Sequence, residues 1–290
     1  MPRGILNEAP HLDGIWWEDK IMSEKENIIH KAKKTELLKK RINQNKSFQR
    51  FDFLKWIFDR IKIEPGSKII ELCSGTGSQT SYLLDKAGKC GQVTAVDISS
   101  ESIEILKAHT KEVAHSNLVT VVSNMDNLEP ALRSQGFRPQ FFDLVFCAYG
   151  LYYSKDVSNT LKVIKSWLKP KGRIVIIGPF GPNNRPLFNV LEQGGVKIPI
   201  FVKYTSGEFM VKDVIPWITD NYQVTHINTT VNQIIWNKIE DIIEYWENTT
   251  FYDSDKLPIV KKLIDEHLYK YQSFVNEKHI MMIEALHDEK

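Results

Sequence analysis

Between residues 68 and 178 the apolar positions follow two alternating rhythms. Short, nearly continuous apolar runs occupy Lys68–Leu72, Gln92–Asp97, Leu118–Ser123, Phe141–Cys147 and Arg173–Gly178. Between them apolar residues recur at helical spacing over about 78–88, 100–114 and 156–168, with a less regular link at 127–138. Strands with no polar side are buried on both faces, and strand–helix repetition implies a parallel sheet covered by helices on both sides. The pattern therefore predicts a doubly wound α/β sheet.

The flanks are less regular. Residues 1–20 show no clear period and carry the pair Trp16-Trp17. Residues 21–61 read as helical, with Leu37, Ile42, Phe48, Leu54, Ile57 and Phe58 at apolar positions, and Glu64-Pro65-Gly66 marks a turn before the first strand. Residues 179–205 hold "PFGPNNRP", a Gly-Gly pair and "KIPIF", and read as a long loop or cap piece. A helix is predicted at about 207–220, an alternating strand at Tyr222–Thr230 and helices at about 237–248 and 257–275. Periodicity alone leaves Lys278–His287 open between helix and strand; the short run Ile280–Ile283 favours a strand, the seventh of the sheet. The expected organisation is an N-terminal helical lid (1–60), a ligand-binding core (61–180), a cap loop (181–206) and the end of the sheet (207–290), with a helical cap insertion at about 237–275.

Composition narrows the function classes. The 290 residues are 42% hydrophobic and 26% charged with a net charge of +2, so no global charge draws the chain to nucleic acid or anionic lipid. Ten Lys/Arg against three Asp/Glu between Lys20 and Arg50 form a local basic stretch, most simply a solvated helix face. Three scattered cysteines, Cys73, Cys90 and Cys147, do not make a disulfide framework and suit a reducing cytoplasm. No apolar run reaches the length of a membrane span or signal peptide. The eight dispersed histidines show no metal-ligand spacing, so no metal is expected.

The stretch "IIELCSGTGSQT", Ile69–Thr80, carries the chemistry. Gly75 and Gly77 follow the first strand, where a doubly wound sheet binds ligands, and let a ligand approach the backbone. Asp97 ends the second strand, where a carboxylate can accept both hydroxyls of a ribose. Thr80 occupies the third small position of a dinucleotide loop, and Glu71 places a carboxylate where a pyrophosphate needs amide donors. That charge suits a cationic ligand instead. No G-x-x-x-x-G-K-[ST] motif supports a triphosphate.

"IIELCSGTG", "AVDIS", "VVSNMDNLEP", "FDLVFCAYGLYY" and "LKPKGRIVIIG", in this order, resemble the class I S-adenosylmethionine-dependent methyltransferases, in particular the methyltransferase type 11 group acting on small metabolites. The resemblance covers about residues 50–180 and implies a Rossmann-like, mostly parallel seven-stranded sheet with S-adenosylmethionine as cofactor and S-adenosylhomocysteine as product. It implies that Glu71, Gly75, Thr76 and Gly77 hold the methionine portion, that Asp97 takes the ribose hydroxyls and that Ile98 packs on the adenine. Asn124 and Met125 stand where relatives read the adenine edge, and Cys147 borders the methionine side. Two positions depart from the pattern. Cys73 replaces the first glycine of the usual triplet, and Asn124 replaces an aspartate, although its amide oxygen still accepts hydrogen bonds.

Acceptor groups are expected outside this core. Tyr152 and Tyr153 stand where relatives carry acceptor-facing histidines and are candidates to position the substrate. Tyr149, Arg185, Tyr252, Trp16 and Trp17 are further substrate-binding candidates, Arg185 as a clamp on a carboxylate. No [DN]-P-P-[YF] tetrad for planar amino groups is present; Cys147–Gly150 stands in its place. The expected reaction is methylation of oxygen or nitrogen, a carboxylate included, on a small metabolite. The alternatives are an RNA or protein methyltransferase, supported by the basic stretch, or a non-catalytic cofactor-binding partner. No membrane partner is expected, nucleic acid is disfavoured, and the sequence does not fix the oligomeric state.

Overall fold

The computed structural model describes residues 24–31, 35–112 and 117–287. Seven strands form one sheet: β1 (Lys68–Leu72), β2 (Gln92–Asp97), β3 (Leu118–Val122), β4 (Phe142–Ala148), β5 (Leu168–Pro179), β6 (Gln223–Trp236) and β7 (Phe274–Leu286). Their order is β3-β2-β1-β4-β5-β7-β6. The first five are parallel, while β7 runs antiparallel to both β5 and β6. Chain order reverses between β1 and β4, and at such a switch point a crevice opens outside the carboxyl ends of the strands.

Side-chain alternation explains why the strands read as continuous apolar runs. Ile70, Leu72, Val145, Cys147, Ile174 and Ile176 face one layer, whereas Ile69, Leu144, Phe146, Val175 and Ile177 face the other. The first layer is covered by α6 (Leu128–Ser134), α7 (Val157–Trp167) and α10 (Ile215–Asn221). The second is covered by α3 (Phe53–Phe58) and α4 (Thr80–Ala87). On the outer strands, α5 (Ser100–Glu112) buries Ile103 and Leu106. Asp143, inside β4, accepts from Lys68 N at 2.8 Å and Lys169 Nζ at 2.6 Å, so it braces strand starts away from the crevice.

The flanks differ from the sequence expectation in four places. Residues expected as a cap loop contain two helices, α8 (Arg185–Gln193) and α9 (Ile200–Gly207). Pro186 and the Gly194-Gly195 pair suggested a loop, but they stand at the first turn and just beyond the end of α8, where helices accept them. The helix expected at 207–220 begins only after a wider π-helical turn at Met210–Val214. The alternating strand continues past Thr230 to Trp236, and the last strand begins at Phe274 rather than at Lys278, inside the helix expected at about 257–275.

That extra length builds the cap. β5 stops pairing with β7 at Pro179–Ile280, yet β6 and β7 remain paired for six more positions, from Val231–His279 to Trp236–Phe274. A two-stranded ribbon thus projects beyond the carboxyl edge of the sheet. It carries a third apolar cluster in which Ile234, Trp236 and Phe274 meet α8, α11 (Ile239–Glu247) and α12 (Leu257–Tyr271). The N-terminal helices, α1 (24–31) and α2 (Thr35–Phe48), close the other side. Gln49 bridges to Ile234 and Arg50 N donates to Gln233 O at 3.1 Å.

Candidate active site

The β1–α4 turn is stitched to its neighbours by short bonds. Ser74 N donates to Val96 O at 3.0 Å, and Gly75 N donates to Asp97 Oδ2 at 2.8 Å. Ser99 N donates to the other oxygen, Asp97 Oδ1, at 2.8 Å. Each carboxylate oxygen keeps a free lone-pair direction for a ligand hydroxyl. Burial raises the Asp97 carboxyl above its ordinary range, against the lowering by its backbone hydrogen bonds. Gly77 is required at its position for two reasons. Its φ is +89°, and an added Cβ would lie 2.9 Å from Leu106 Cγ.

Glu71 sits beneath the loop rather than at its surface. It is only 2% exposed, does not line the crevice, and accepts from Thr80 Oγ1 at 2.6 Å. Burial, opposed by that hydrogen bond, pushes its pKa up to about 8. Burial thus favours the protonated form of this carboxyl, whose hydrogen bond with Thr80 ties β1 to α4.

Cys73 adopts a left-handed conformation, φ +57°, and so does Tyr149 after β4, also at +57°. The Cys73 thiol is held well above the ordinary range by its hydrogen bond with Cys147 and by burial, which suits packing and not nucleophilic attack. Asn124 Oδ1 accepts from Asp126 N at 3.1 Å and so starts the short turn that presents Met125. Asp126 accepts from Ser154 Oγ at 2.6 Å and Lys155 N at 2.9 Å, locking the loop after β4.

A cavity of about 1080 Å³ opens from this loop beneath the cap. Ligand pockets commonly hold 300–1,000 Å³, so there is space for a nucleoside-sized cofactor and a second small molecule. Gly75, Thr76, Asp97, Ile98, Asn124, Met125, Tyr149, Tyr152 and Tyr153 all line it. Glu71, Gly77 and Cys147 lie behind its wall. Arg185 is exposed at the first turn of α8, because that helix turns Leu187, Phe188 and Leu191 inward. Tyr252 packs edge-on against Trp246 with ring centroids 4.9 Å apart, away from the cavity. Neither side chain lines the cavity. Trp16 and Trp17 lie outside the described residues.

Tyr152 and Tyr153 stack edge-on at 4.6 Å. Burial raises both phenols, as it does Tyr149, so all three are neutral hydrogen-bond donors. Sequence reasoning missed Arg41, Asn184 and Lys278, which line the same cavity from separate parts of the chain. Tyr245, also in the lining, is marked by sequence only as one of the aromatic candidates of the C-terminal insertion, with Trp246, Phe251 and Tyr252.

The comparisons with known proteins agree with this geometry. The methyltransferase-domain family model matches residues 63–199. A demethylmenaquinone methyltransferase from Staphylococcus saprophyticus is 30% identical over 181 residues, 61% of this chain and 72% of its own. The chain belongs to the class I S-adenosylmethionine-dependent methyltransferases. A ubiquinone/menaquinone biosynthesis C-methyltransferase from Psychromonas ingrahamii is 28% identical over 141 residues, 46% of this chain and 54% of its own. The chain spans between 42% and 72% of the length of the curated relatives it matches. Among solved structures, a methyltransferase from Aquifex aeolicus shares the fold with a TM-score of 0.51 and 12% identity, over 85% of this chain and 98% of its own.

S-adenosylmethionine is the cofactor of this methyltransferase family, and the residues fit it. Asp97 keeps carboxylate lone pairs facing the cavity, and Ile98 is an apolar side chain left 38% exposed at its wall. A ribose diol and an adenine face are the groups that would occupy these positions. Among the described residues, no helix is long and apolar enough to cross a membrane.

Proposed function

We propose that this methyltransferase transfers the methyl group of S-adenosylmethionine to a small, largely apolar ring acceptor that carries an acidic hydroxyl. One observation supports the reading above others: a single cavity joins the Asp97 loop to a chamber walled by Ile42, Phe53, Leu187, Phe188 and Ile280 and by several tyrosines. An enclosure with this much apolar wall suits a flat apolar molecule. The bound cofactor supplies an electrophilic methyl group whose bonding electron pair stays with sulphur.

The protein's own residues then have three tasks. Asp97 and the Gly75 turn hold and orient the nucleoside. Tyr149, Tyr152 and Tyr153, kept neutral, donate to acceptor oxygens and exclude water, so that the nucleophile is aligned at contact distance. The cap formed by α2, α8 and α11 covers the chamber. Carbon is favoured as the acceptor atom over the expected oxygen or nitrogen, with support from the relatives named as C-methyltransferases. The same polar groups would equally serve the hydroxyl oxygen itself, so O-methylation is the second reading.

The basic stretch gives weak support to an RNA acceptor, because Arg41 faces the cavity and Lys40 is paired with Glu36 at 3.3 Å. The test is incubation with isotopically methyl-labelled S-adenosylmethionine and a panel containing naphthalene-1,4-diol, simple phenols, carboxylic acids and RNA, read by mass spectrometry. Label on a ring carbon of the diol supports the proposal. Label confined to RNA or carboxylates sinks it.

A further inference from the structure

The acceptor end of the cavity holds a polar cluster that the functional reading leaves without a task. Tyr245, on α11, is buried and lines the cavity. Lys278, on the overhanging part of β7, donates to the Tyr245 phenol oxygen at 2.5 Å and to Asn184 Oδ1 at 2.5 Å. Its ammonium also lies 4.7 Å from the centre of the Tyr245 ring. Arg41, from α2, lines the same chamber, and its Nε is buried without a hydrogen-bond partner. Among the described residues, neither cation has a carboxylate within ion-pair distance.

Two unpaired cations in an apolar-walled chamber favour any anion that forms between them. Burial opposes ionisation of the Tyr245 phenol, but the Lys278 charge and hydrogen bond, with Arg41, outweigh it and hold the phenol below its ordinary range. Tyr149, Tyr152 and Tyr153 shift upward instead. Tyr149, which follows β4, lines the same cavity as Tyr245.

We propose that Tyr245, held by Lys278, is the catalytic base of this site and takes the proton of an acidic hydroxyl on the methyl acceptor. The inference rests on the small-acceptor reading given above. The acceptor O–H bond breaks, its electron pair stays with the acceptor oxygen, and the proton joins the Tyr245 phenolate. The electron density delivered into the ring makes the adjacent carbon nucleophilic, and that carbon forms the new bond to the methyl group as the methyl–sulphur bond breaks. The ring carbon's own proton leaves to water, and Tyr245 returns its proton to the product oxygen. One proton is released per methyl transferred. Lys278 is the positioning residue of the pair: it stabilises the phenolate and fixes its direction.

Three measurements on the full chain test this. Near-ultraviolet difference absorption should show one tyrosine ionising below the ordinary phenol range. It should be missing in Tyr245→Phe and displaced upward in Lys278→Met. S-adenosylhomocysteine, titrated calorimetrically, should bind both variants within about twofold of wild type, as expected of an intact fold with a cofactor end untouched. With naphthalene-1,4-diol as acceptor, Tyr245→Phe should lose roughly 10²–10⁴-fold in kcat. In Lys278→Met the rising limb of the pH–rate profile should move to higher pH, a displacement that a purely structural lysine would not produce. An unaltered tyrosine titration in Tyr245→Phe, or unaltered kcat, overturns the base. Wild-type protein that binds S-adenosylhomocysteine but methylates no hydroxyl-bearing acceptor overturns the functional reading together with the base. Transfer by wild type and Tyr245→Phe alike overturns the base alone.

Discussion

At Glu71 a single side chain weakens an argument made from its type. Read in sequence, a carboxylate beside a glycine loop repels phosphate and attracts a cation; buried against Thr80, with its pKa pushed up to about 8, it does both more weakly at neutral pH. The consequence for stability has a definite sign. The folded protein binds this proton up to about pH 8, whereas the unfolded chain releases it near 4.5, so stability falls as pH rises through that window. Glu71→Gln keeps an acceptor for Thr80 and should flatten this decline, so that urea midpoints of wild type and variant diverge with rising pH. Parallel midpoints would show Glu71 ionised in the fold. Asp97 is the opposite case, since sequence and structure place the same carboxylate at the same strand end. Asp97→Asn weakens charge-assisted hydrogen bonds of about 1.5–3 kcal/mol, which corresponds to roughly 10- to 100-fold in S-adenosylhomocysteine affinity by calorimetry. Affinity within twofold of wild type would remove Asp97 from the ribose site.

The junction of strand ends β1 and β4 is where local sequence departs from the family pattern and local structure compensates. Cys73 stands in the left-handed region without being glycine, and Gly150 lies so close that a Cβ there would sit 2.3 Å from Cys73 Sγ. Gly150→Ala should therefore cost about 1–3 kcal/mol from overpacking. Cys73→Gly removes both the clash and the positive-φ strain, so in the Cys73→Gly background the same alanine should cost much less. Chemical denaturation of the two single variants and the double variant measures this; strictly additive losses would contradict it. Among the elements, the five core strands were legible because burial on both faces imposes continuous apolar runs. α8 and the upper half of β6 were not. In α8 the proline and glycine residues look like loop residues until their positions at the helix ends are known. In β6 the residues beyond Thr230 pair with β7, from 38 to 48 positions later in the chain, and with the distant Gln49–Arg50 segment.

At the scale of the molecule, the sheet and the cap are separate apolar clusters joined by the β6–β7 ribbon. Trp236 is fully buried in the cap and touches the rings of Phe48, Tyr245 and Phe274. Trp236→Ala should cost about 3–5 kcal/mol, and methyl transfer to naphthalene-1,4-diol should fall while S-adenosylhomocysteine still binds under conditions where the protein stays folded. Equal loss of both functions would mean that cap and sheet are one unit. The sequence by itself determined the doubly wound core and the cofactor loop, because both rest on short-range signals: strand runs, helix periods, and glycines and a carboxylate fixed at strand ends. The acceptor chamber was decided only by tertiary structure. Arg41, Tyr245 and Lys278 belong to three elements and Asn184 to the turn before α8, up to 237 positions apart in the 290-residue chain. No local pattern marks side chains that meet only when a ribbon overhangs the sheet and folds its helices back over the strand ends.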